Sequence, residues 1–376
     1  MKRHIHLLGK NMKRCLIIVA LLFLFSFNVS AAEDLYTEQY EISGAESLYD
    51  ELTDSARNFF EEYDIDPKNP NWVNEITAGN IFTKIFEFIK SGGAAPIKSG
   101  LQILGIIVLF AGANTFKGLK TYKTAMTYVF TLVMSASLLV PLFSLIDALV
   151  GAIKGSSTFM LSFIPVYSGI LIAGGQTATA TGMSFLLLGA ANIVSSIASF
   201  VIVPLMSCYL AIGLVSGVMP ENSGVALGDG IKKIAMWILS LTLTLFLGLL
   251  SIQTTVNAAA DGLGLKALKF MVGSFVPVAG GALSESLATL TASVKLLKSS
   301  VGIYGVVALA LTNLPIILEL VLWRVVTFII LAVSELFGIK SGLPLLKAVD
   351  SVLAVLIGVV LFTAALFIIS LTIVLK

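Results

Sequence analysis

Residues 349–375 have the sequence VDSVLAVLIGVVLFTAALFIISLTIVL, and no charged side chain follows Asp350 in this stretch. A helix needs about 20 consecutive apolar residues to cross the hydrocarbon core of a bilayer. The stretch therefore predicts a final membrane span over 349–375. Lys340 and Lys347 precede it, and basic residues beside a span favour the cytoplasmic face. We accordingly expect the C-terminus on the extracytoplasmic side.

The rest of the chain has the same membrane character. Of its 376 residues, 57% are hydrophobic and 12% are charged, whereas soluble domains carry about 25% charged residues. This predicts an all-α polytopic membrane protein with about six to eight transmembrane or re-entrant helices. Its basic residues form no cluster typical of nucleic-acid binding, so no nucleic-acid partner is expected. The membrane domain is expected over 96–376, with clear spans at 99–116, 125–150 and 234–256 and with longer apolar runs at 183–215 and 301–337.

Residues 1–31 resemble a secretory signal peptide. A basic start that includes Lys2 and Arg3 is followed by an apolar run from Cys15 to Phe27 and then by small residues before Ala32. An uncleaved anchor helix is the alternative, but a run of about 13 residues is short for a span. We therefore expect cleavage near Ala32 and a mature N-terminus outside the cytoplasm.

Residues 32–95 form a short acidic extracytoplasmic and interfacial segment in this prediction. Thirteen Asp and Glu residues lie between Glu33 and Asn80, against only Arg57 and Lys68. The carboxylates lack the order of a calcium-binding loop, so they indicate a solvated face. The segment has too few apolar residues for its own core and is expected to pack on the membrane domain or a partner. A helix beginning at Ile81 is expected to lie at the membrane interface, with Lys84 and Lys90 at the lipid headgroups.

An apolar, proline-containing stretch occurs twice. Residues 162–169 (SFIPVYSG) recur as residues 274–281 (SFVPVAGG), offset by 112 residues, and two similar Lys-containing stretches upstream are offset by 110. Two landmarks at nearly the same offset indicate an internal duplication, with copies at roughly 117–205 and 227–330. Because the first copy is short and broken by proline, we expect a half-helix or a re-entrant hairpin over 158–173.

The duplicated stretches supply candidate pore residues. A proline removes a backbone donor and kinks a helix, and irregular backbone at membrane depth is tolerated where it is buried or lines a cavity. The same residues could be packing kinks, and close packing is the more frequent role of small residues in membranes. The segment 176–182 (QTATATG) could likewise bind an ion or peptide or allow helices to approach. The candidate pore or kink residues are Pro165, Gly169, Pro277, Gly281 and Gln176.

Charges within the apolar runs form a second set of candidates, because they are costly in a bilayer. Asp147 with Lys154 and Asp261 with Lys266 occupy corresponding places in the two copies, as outer-face ion pairs or at a pore entrance. Glu319 and Arg324 are five residues apart and do not share a helix face. Each therefore needs a partner on another helix or subunit.

Catalytic chemistry has little support in this sequence. The two histidines precede residue 7, and Cys208 is the only cysteine beyond the predicted signal peptide. Histidine-dependent nucleophiles and His-ligated metals are thereby excluded from the mature chain. An aspartyl protease using Asp147 and Asp261 is disfavoured, because neither residue lies in mid-span. We expect no enzyme activity, cofactor or metal.

The chain from residue 101 onward resembles the stage III sporulation protein AE family of endospore-forming bacteria. The similarity covers residues 101–376 and does not include the acidic segment. The most specific stretches are GGQT at 174–177, KIAMWIL at 233–239, LSIQ at 250–253, ADG at 260–262 and FVPV at 275–278.

This resemblance implies a role in the channel-like complex between mother cell and forespore. The protein would be a multi-pass component of the mother-cell membrane facing the forespore, and would be a candidate to form the pore. Its implied partners are other stage III sporulation proteins, including an ATPase and a forespore-side protein; a homo-oligomer is also expected. The family offers no catalytic residues. A self-contained secondary transporter with duplicated broken helices remains the alternative at this point.

Overall fold

The computed structural model describes residues 33–115, 123–218, 225–275, 280–339 and 341–375. The predicted signal peptide lies outside these ranges. The described backbone is helical and contains no strand. In chain order the α-helices are α1 (Glu33–Ile42), α2 (Asp54–Glu62), α3 (Ala78–Gly92), α4 (Ala94–Thr115), α5 (Lys123–Ala173), α6 (Thr177–Ser196), α7 (Val203–Val218), α8 (Val225–Phe275), α9 (Gly280–Leu336) and α10 (Leu343–Leu375).

The most apolar helix, α10, forms the centre of a helical bundle. Of its apolar stretch 61% is buried inside the protein, against 22% for α8, and α10 packs on α7, α8 and α9. Within the described ranges, six helical stretches are long and apolar enough to cross a membrane. The all-α polytopic fold predicted from the sequence is therefore observed, and α10 contains the predicted final span.

The helix α5 runs through the first copy of the repeated stretch without a break. It extends over 51 residues and contains both Pro141 and Pro165. The expectation of a half-helix or re-entrant hairpin was wrong. Phe163 and Tyr167, on either side of Pro165, are both buried. Their packing on neighbouring helices holds the segment helical despite the hydrogen bond that proline removes.

The long apolar run 183–215 is also a continuous helical path. A π-helical segment, Ile197–Ile202, joins α6 to α7 just before Pro204. Proline lacks an amide hydrogen, and a π-type widening is a common way to accommodate such a defect inside a helix. A run of this length could hold one long tilted helix or two short ones, and the structure has one long helical path with a local irregularity.

The helix α3 differs from the predicted interfacial helix. Helical hydrogen bonds continue through Gly93 into α4, from Gly93 N to Ile89 O (2.8 Å) and from Ile97 N to Gly93 O (3.1 Å). Lys84 is only 8% exposed. Its ammonium pairs with Glu62 of α2 and with Glu87. Two nearby carboxylates compensate the buried charge, so the prediction that Lys84 reaches the lipid headgroups was wrong.

The acidic N-terminal segment (residues 33–77) packs on the membrane bundle, as expected. Phe60 and Trp72 are buried and contact the Tyr304 ring of α9, at centroid distances of 5.0 and 6.2 Å. Thr53 forms a hydrogen bond of 2.9 Å with Thr312, which lies about two helical turns beyond Tyr304 on α9. The segment thus has no independent core: its aromatic side chains complete their burial against α9.

A chain of hydrogen bonds fixes this contact at Ser300. The Trp72 indole donates to Ser300 Oγ (2.7 Å), and Ser300 Oγ lies 2.7 Å from the Tyr36 hydroxyl. Tyr36 in turn donates to the carbonyl oxygen of Pro67 (2.8 Å). If Ser300 donates to Tyr36, each of the three donors in this series of hydrogen bonds has an acceptor. The buried polar groups are therefore satisfied across the contact between segment and bundle.

The Tyr36 hydroxyl should make this contact sensitive to alkaline pH. Burial raises the pKa of Tyr36 from its ordinary value of 10.0 to about 12, partly offset by the hydrogen bond from Ser300. Because the folded-state pKa is the higher one, the contribution of Tyr36 is complete below pH 10 and is lost as the pH rises towards 12. We expect protection of the N-terminal segment from proteolysis to fall in that range. A Tyr36→Phe variant should lose this component, and an unchanged pH profile in that variant would contradict the assignment.

Candidate functional site

The buried carboxylate of Asp261 binds the N-terminus of α6. Its Oδ1 accepts a hydrogen bond from Ala178 N (2.8 Å), and its Oδ2 accepts from Thr179 N (3.0 Å) and Thr179 Oγ1 (2.6 Å). The first amides of a helix have no partners within it, and the helix dipole favours a negative charge at that end. Asp261 of α8 therefore serves as a tertiary cap for α6.

Local sequence explains why α6 needs a cap from elsewhere. Gln176 occupies the N-cap position, but its side chain caps nothing. Gly175 has φ +77°, a left-handed conformation that favours glycine, and this turn reverses the chain between α5 and α6. The turn brings the start of α6 against α8, where Asp261 lies.

A row of amides continues from Asp261 along α8. Gln253, Asn257 and Asp261 are four residues apart and share one helix face, and Gln253 Nε2 lies 3.2 Å from Asn257 Oδ1. Together with Gln176 and Thr179 they form what we call the Asp261 cluster. Among the described residues, Gln176 Oε1 and Asn257 Nδ2 are buried without a hydrogen-bond partner.

Glycine at position 182 lets α6 approach this cluster. A Cβ atom there would collide with the side-chain nitrogens of both Gln253 and Asn257. Gly182→Ala should therefore destabilise the protein by about 1–3 kcal/mol, despite the better helix propensity of alanine. The matched control is Gly189→Ala on the same helix, where a Cβ meets nothing within 4 Å.

That control should stabilise the protein by about 0.5–1 kcal/mol. The measurement is the thermal unfolding midpoint in detergent. Equal effects of the two substitutions would show that Gly182 does not lie against the amides.

The other predicted charged residues are not brought into this cluster. Asp147 and Lys154 are both exposed on α5, and no ion pair of the described residues includes either one. Asp147 and Asp261 correspond in the sequence repeat, yet the first is solvent-exposed and the second is 7% exposed. The repeat therefore does not place these two carboxylates in equivalent surroundings.

The candidate pore residues likewise do not come together at one site among the described residues. Pro165 and Gly169 are exposed on α5, and Gln176 belongs to the Asp261 cluster. Pro277 lies outside the described residues. Lys266 and Gly281 fall in stretches whose side chains are likewise outside the described part. Pore lining by these residues stays a prediction.

Arg324 has its partner on the neighbouring helix α10. Its Nε lies 3.0 Å from Asp350 Oδ1, and the two side chains are 35% and 33% exposed. Lys232 of α8 donates to the adjacent Ser351 (3.3 Å), so charged and polar groups of three helices meet here. Glu319, in contrast, lies beside the indole of Trp323, four residues on.

A charge swap tests this pair. Arg324→Asp places two carboxylates together and should lower the unfolding midpoint, whereas the double variant Arg324→Asp with Asp350→Arg should restore most of the loss. Because both groups are partly exposed, we expect a coupling free energy of about 0.5–1 kcal/mol in a double-mutant cycle. Additive effects of the two substitutions would show that the side chains do not interact.

Sequence reasoning missed Gln253, Asn257 and Asp350 as members of these sites. A spacing of four residues between Gln253, Asn257 and Asp261 was the available signal, since it predicts one polar helix face. The described residues contain no group of three or more His, Cys, Asp or Glu that could hold a metal ion. The Asp261 carboxylate is already occupied by helix amides, so the arrangement is suited to fixing two helices together.

Comparison with known protein families matches residues 74–376 to the family described as Stage III sporulation protein AE (spore_III_AE). The chain belongs to the stage III sporulation protein AE family. The match includes the Asp261 cluster, the Arg324–Asp350 pair and all of the bundle from α3 onward. Most of the N-terminal segment precedes it.

A curated protein of this family aligns with most of the chain. The chain is 26% identical over 292 residues to the Stage III sporulation protein AE of Bacillus subtilis (strain 168), which covers 77% of this chain and 71% of that protein. No solved structure is significantly similar to the chain. The present chain is thus a multi-pass membrane protein of a sporulation family. The family resemblance found in its sequence is confirmed.

Proposed function

We propose that this protein is a non-enzymatic membrane component of a sporulation-specific secretion or feeding channel between mother cell and forespore. The family match carries this proposal. The structure supports it in one respect: three of the polar contacts in the described bundle join helices or segments and thus have structural roles. Asp261 caps α6, Arg324 pairs with Asp350, and Ser300 anchors the N-terminal segment.

The proposed location is the mother-cell membrane that faces the forespore, with the mature N-terminus outside the cytoplasm. The proposed partners are other stage III sporulation proteins, including an ATPase and a forespore-side protein, and further copies of this chain. An ATPase partner would supply energy for transport. The acidic, solvated N-terminal segment would then lie in the space between the two membranes, where a forespore-side partner could contact it.

Deletion of the gene in its sporulating host tests the role. We expect development to arrest after engulfment and the unmodified gene to restore spores. A complementing gene with Asp261→Ala should restore few spores, whereas one with Asp147→Asn should restore normal numbers. Normal sporulation of the deletion strain would refute the proposal. Transport of a defined solute by the purified protein alone would favour a self-contained transporter instead.

A further inference from the structure

A stripe of exposed apolar side chains follows the outer face of α8. The stripe spans about 33 Å at 1.5 Å per residue, close to the hydrocarbon thickness of about 30 Å. Lys232 and Lys233 precede it, and the capping residue Asp261 follows it. This α8 stripe has the length and the charged ends of a lipid-facing surface. It comprises Ile234, Trp237, Leu241, Leu245, Leu249, Ile252 and Val256.

A second stripe lies on the first half of α5. Beyond it the outer face of α5 becomes charged, because Asp147 and Lys154 are both exposed. An exposed charge facing hydrocarbon is costly, so lipid contact on α5 must end near residue 146. This α5 stripe comprises Tyr128, Val129, Leu132, Val133, Val140 and Phe143.

Contacts with and beside the central helix show that the two stripes lie at different levels. Met134 of α5 packs on Gly342, just before α10, whereas Met236 of α8 packs on Gly358 in the middle of α10. Phe163 of α5 and Leu371 of α10 both pack on Gly305, so α5 and α10 run in the same direction. Lys232 of α8 lies at Ser351 and Met236 of α8 lies at Gly358, so α8 runs in this direction too. The centre of the α8 stripe is therefore about 35 Å further along the bundle axis than the centre of the α5 stripe.

A bilayer perpendicular to the bundle axis cannot accommodate both stripes. Centred on the α5 stripe, it would place Lys232 and Lys233 of α8 in hydrocarbon, because Lys232 lies beside Ser351. Centred on the α8 stripe, it would place Lys154 there. It would also enclose the acidic N-terminal segment, which contacts α9 at Thr312 and Ser300. Either position carries the cost of burying several charges.

We propose that lipid surrounds this protein along an oblique belt, with the α5 stripe on one flank and the α8 stripe on the other. The helix α6 packs between α5 and α8, so their outer faces are about 30 Å apart at usual interhelical distances. An offset of about 35 Å across that width corresponds to a bundle tilt on the order of 45–50°. This belt leaves Lys232 below the hydrocarbon on the α8 flank, and it leaves Lys154 and the N-terminal segment above the hydrocarbon on the α5 flank.

The oblique belt places the first repeated stretch outside the membrane, whereas the sequence suggested that it lies at membrane depth. Residues 162–169 lie above the α5 stripe, beside the N-terminal segment. There Val166 Cγ2 is 4.0 Å from the point that a Cβ atom would occupy if Gly44 carried a side chain. They therefore lie outside the hydrocarbon and face the extracytoplasmic space. The inference rests on the multi-pass membrane assignment and is independent of the channel role, so either can fail without the other.

Four single-cysteine variants in a Cys208→Ser background test the belt. Leu161 and Ile252 lie at nearly the same level on opposite flanks, with side chains 45% and 65% exposed. Leu132 and Leu227 form the corresponding lower pair, 56% and 69% exposed. All four side chains are exposed, so cysteine at these positions should not disturb folding. Native membranes, opened so that both faces are accessible, are treated with N-ethylmaleimide, which reacts with thiolates in contact with water.

We expect cysteines at 161 and 227 to react at least about tenfold faster than those at 252 and 132, because a thiol in hydrocarbon does not ionise. Fast reaction of both upper sites with slow reaction of both lower sites would overturn the proposal in favour of a flat belt at the α5 stripe. The reverse result would favour a flat belt at the α8 stripe. Equal rates at all four sites would show that the stripes do not face lipid.

Quenching by brominated phosphatidylcholine provides an independent measurement. Of the three tryptophans, Trp237 is exposed on the α8 stripe, whereas Trp72 and Trp323 are buried. Quenching by lipid therefore reports mainly on Trp237. We expect brominated lipid to quench the fluorescence of Trp237 and to lose that effect in Trp237→Phe. Adding Leu161→Trp to Trp237→Phe should not restore it. Restored quenching would place residue 161 in lipid and refute the oblique belt.

Discussion

Replacing Asp261 with alanine should destabilise the bundle by about 3 kcal/mol and strongly reduce sporulation in a complementation assay. The substitution leaves the amides of Ala178 and Thr179 and the Thr179 hydroxyl without their acceptor. Unsatisfied groups at a partly buried site cost about 1–3 kcal/mol each, and bonds to a carboxylate are the stronger kind. The thermal unfolding midpoint of the purified protein in detergent measures the loss.

Two further variants separate the capping role from the general effect of removing a charge. Asp261→Asn keeps an acceptor oxygen but loses the charge, and should cost less than alanine. Asp147→Asn removes an exposed carboxylate and should change stability by less than about 0.5 kcal/mol. If Asp147→Asn proved as harmful as Asp261→Ala, the distinction drawn between these two residues would be wrong.

Replacing Trp72 with alanine should detach the N-terminal segment from the bundle. Trp72 is fully buried, packs on Phe60 and Tyr304, and donates to Ser300. Loss of a buried tryptophan costs about 3–5 kcal/mol. The segment has no core of its own, so we expect residues 33–77 to become sensitive to limited proteolysis while the bundle stays intact.

The conservative variant Trp72→Phe tests which part of this contact matters. It keeps most of the apolar contact and removes only the indole donor, for an expected cost of about 1–2 kcal/mol. Ser300→Ala should have a similar effect, because it removes the acceptor for Trp72 and the partner of Tyr36. Full protection from protease in Trp72→Ala would show that the segment is held by other contacts.

Several features of the structure were accessible from local sequence. The charge-free run after Asp350 predicted a span, and α10 extends through it. The N-terminal segment has too few apolar residues for its own core, which predicted that it packs on the membrane domain or a partner, and the structure shows it on α9. The cost of an isolated charge within an apolar run singled out Asp261 and Arg324, and both have partners in the structure.

Other features depended on contacts between distant residues. Pro165 suggested a broken helix, because proline weakens a helix locally, yet packing on both sides keeps α5 continuous. Lys84 was expected at the headgroups because nothing local reveals that Glu62 lies opposite it. The repeat made Asp147 and Asp261 look equivalent, although only Asp261 faces the exposed amides of another helix.

The sequence by itself determined that this is a helical, multi-pass membrane protein of the stage III sporulation protein AE family, because apolar run length, charge placement and short motifs are properties of contiguous residues. Only the tertiary structure decided which helix faces meet. It assigned Asp261 to the N-terminus of α6, Asp350 to Arg324 and Ser300 to Trp72. The physical reason is that each of these bonds joins residues at least 26 positions apart, and their geometry follows from how the long helices pack around α10.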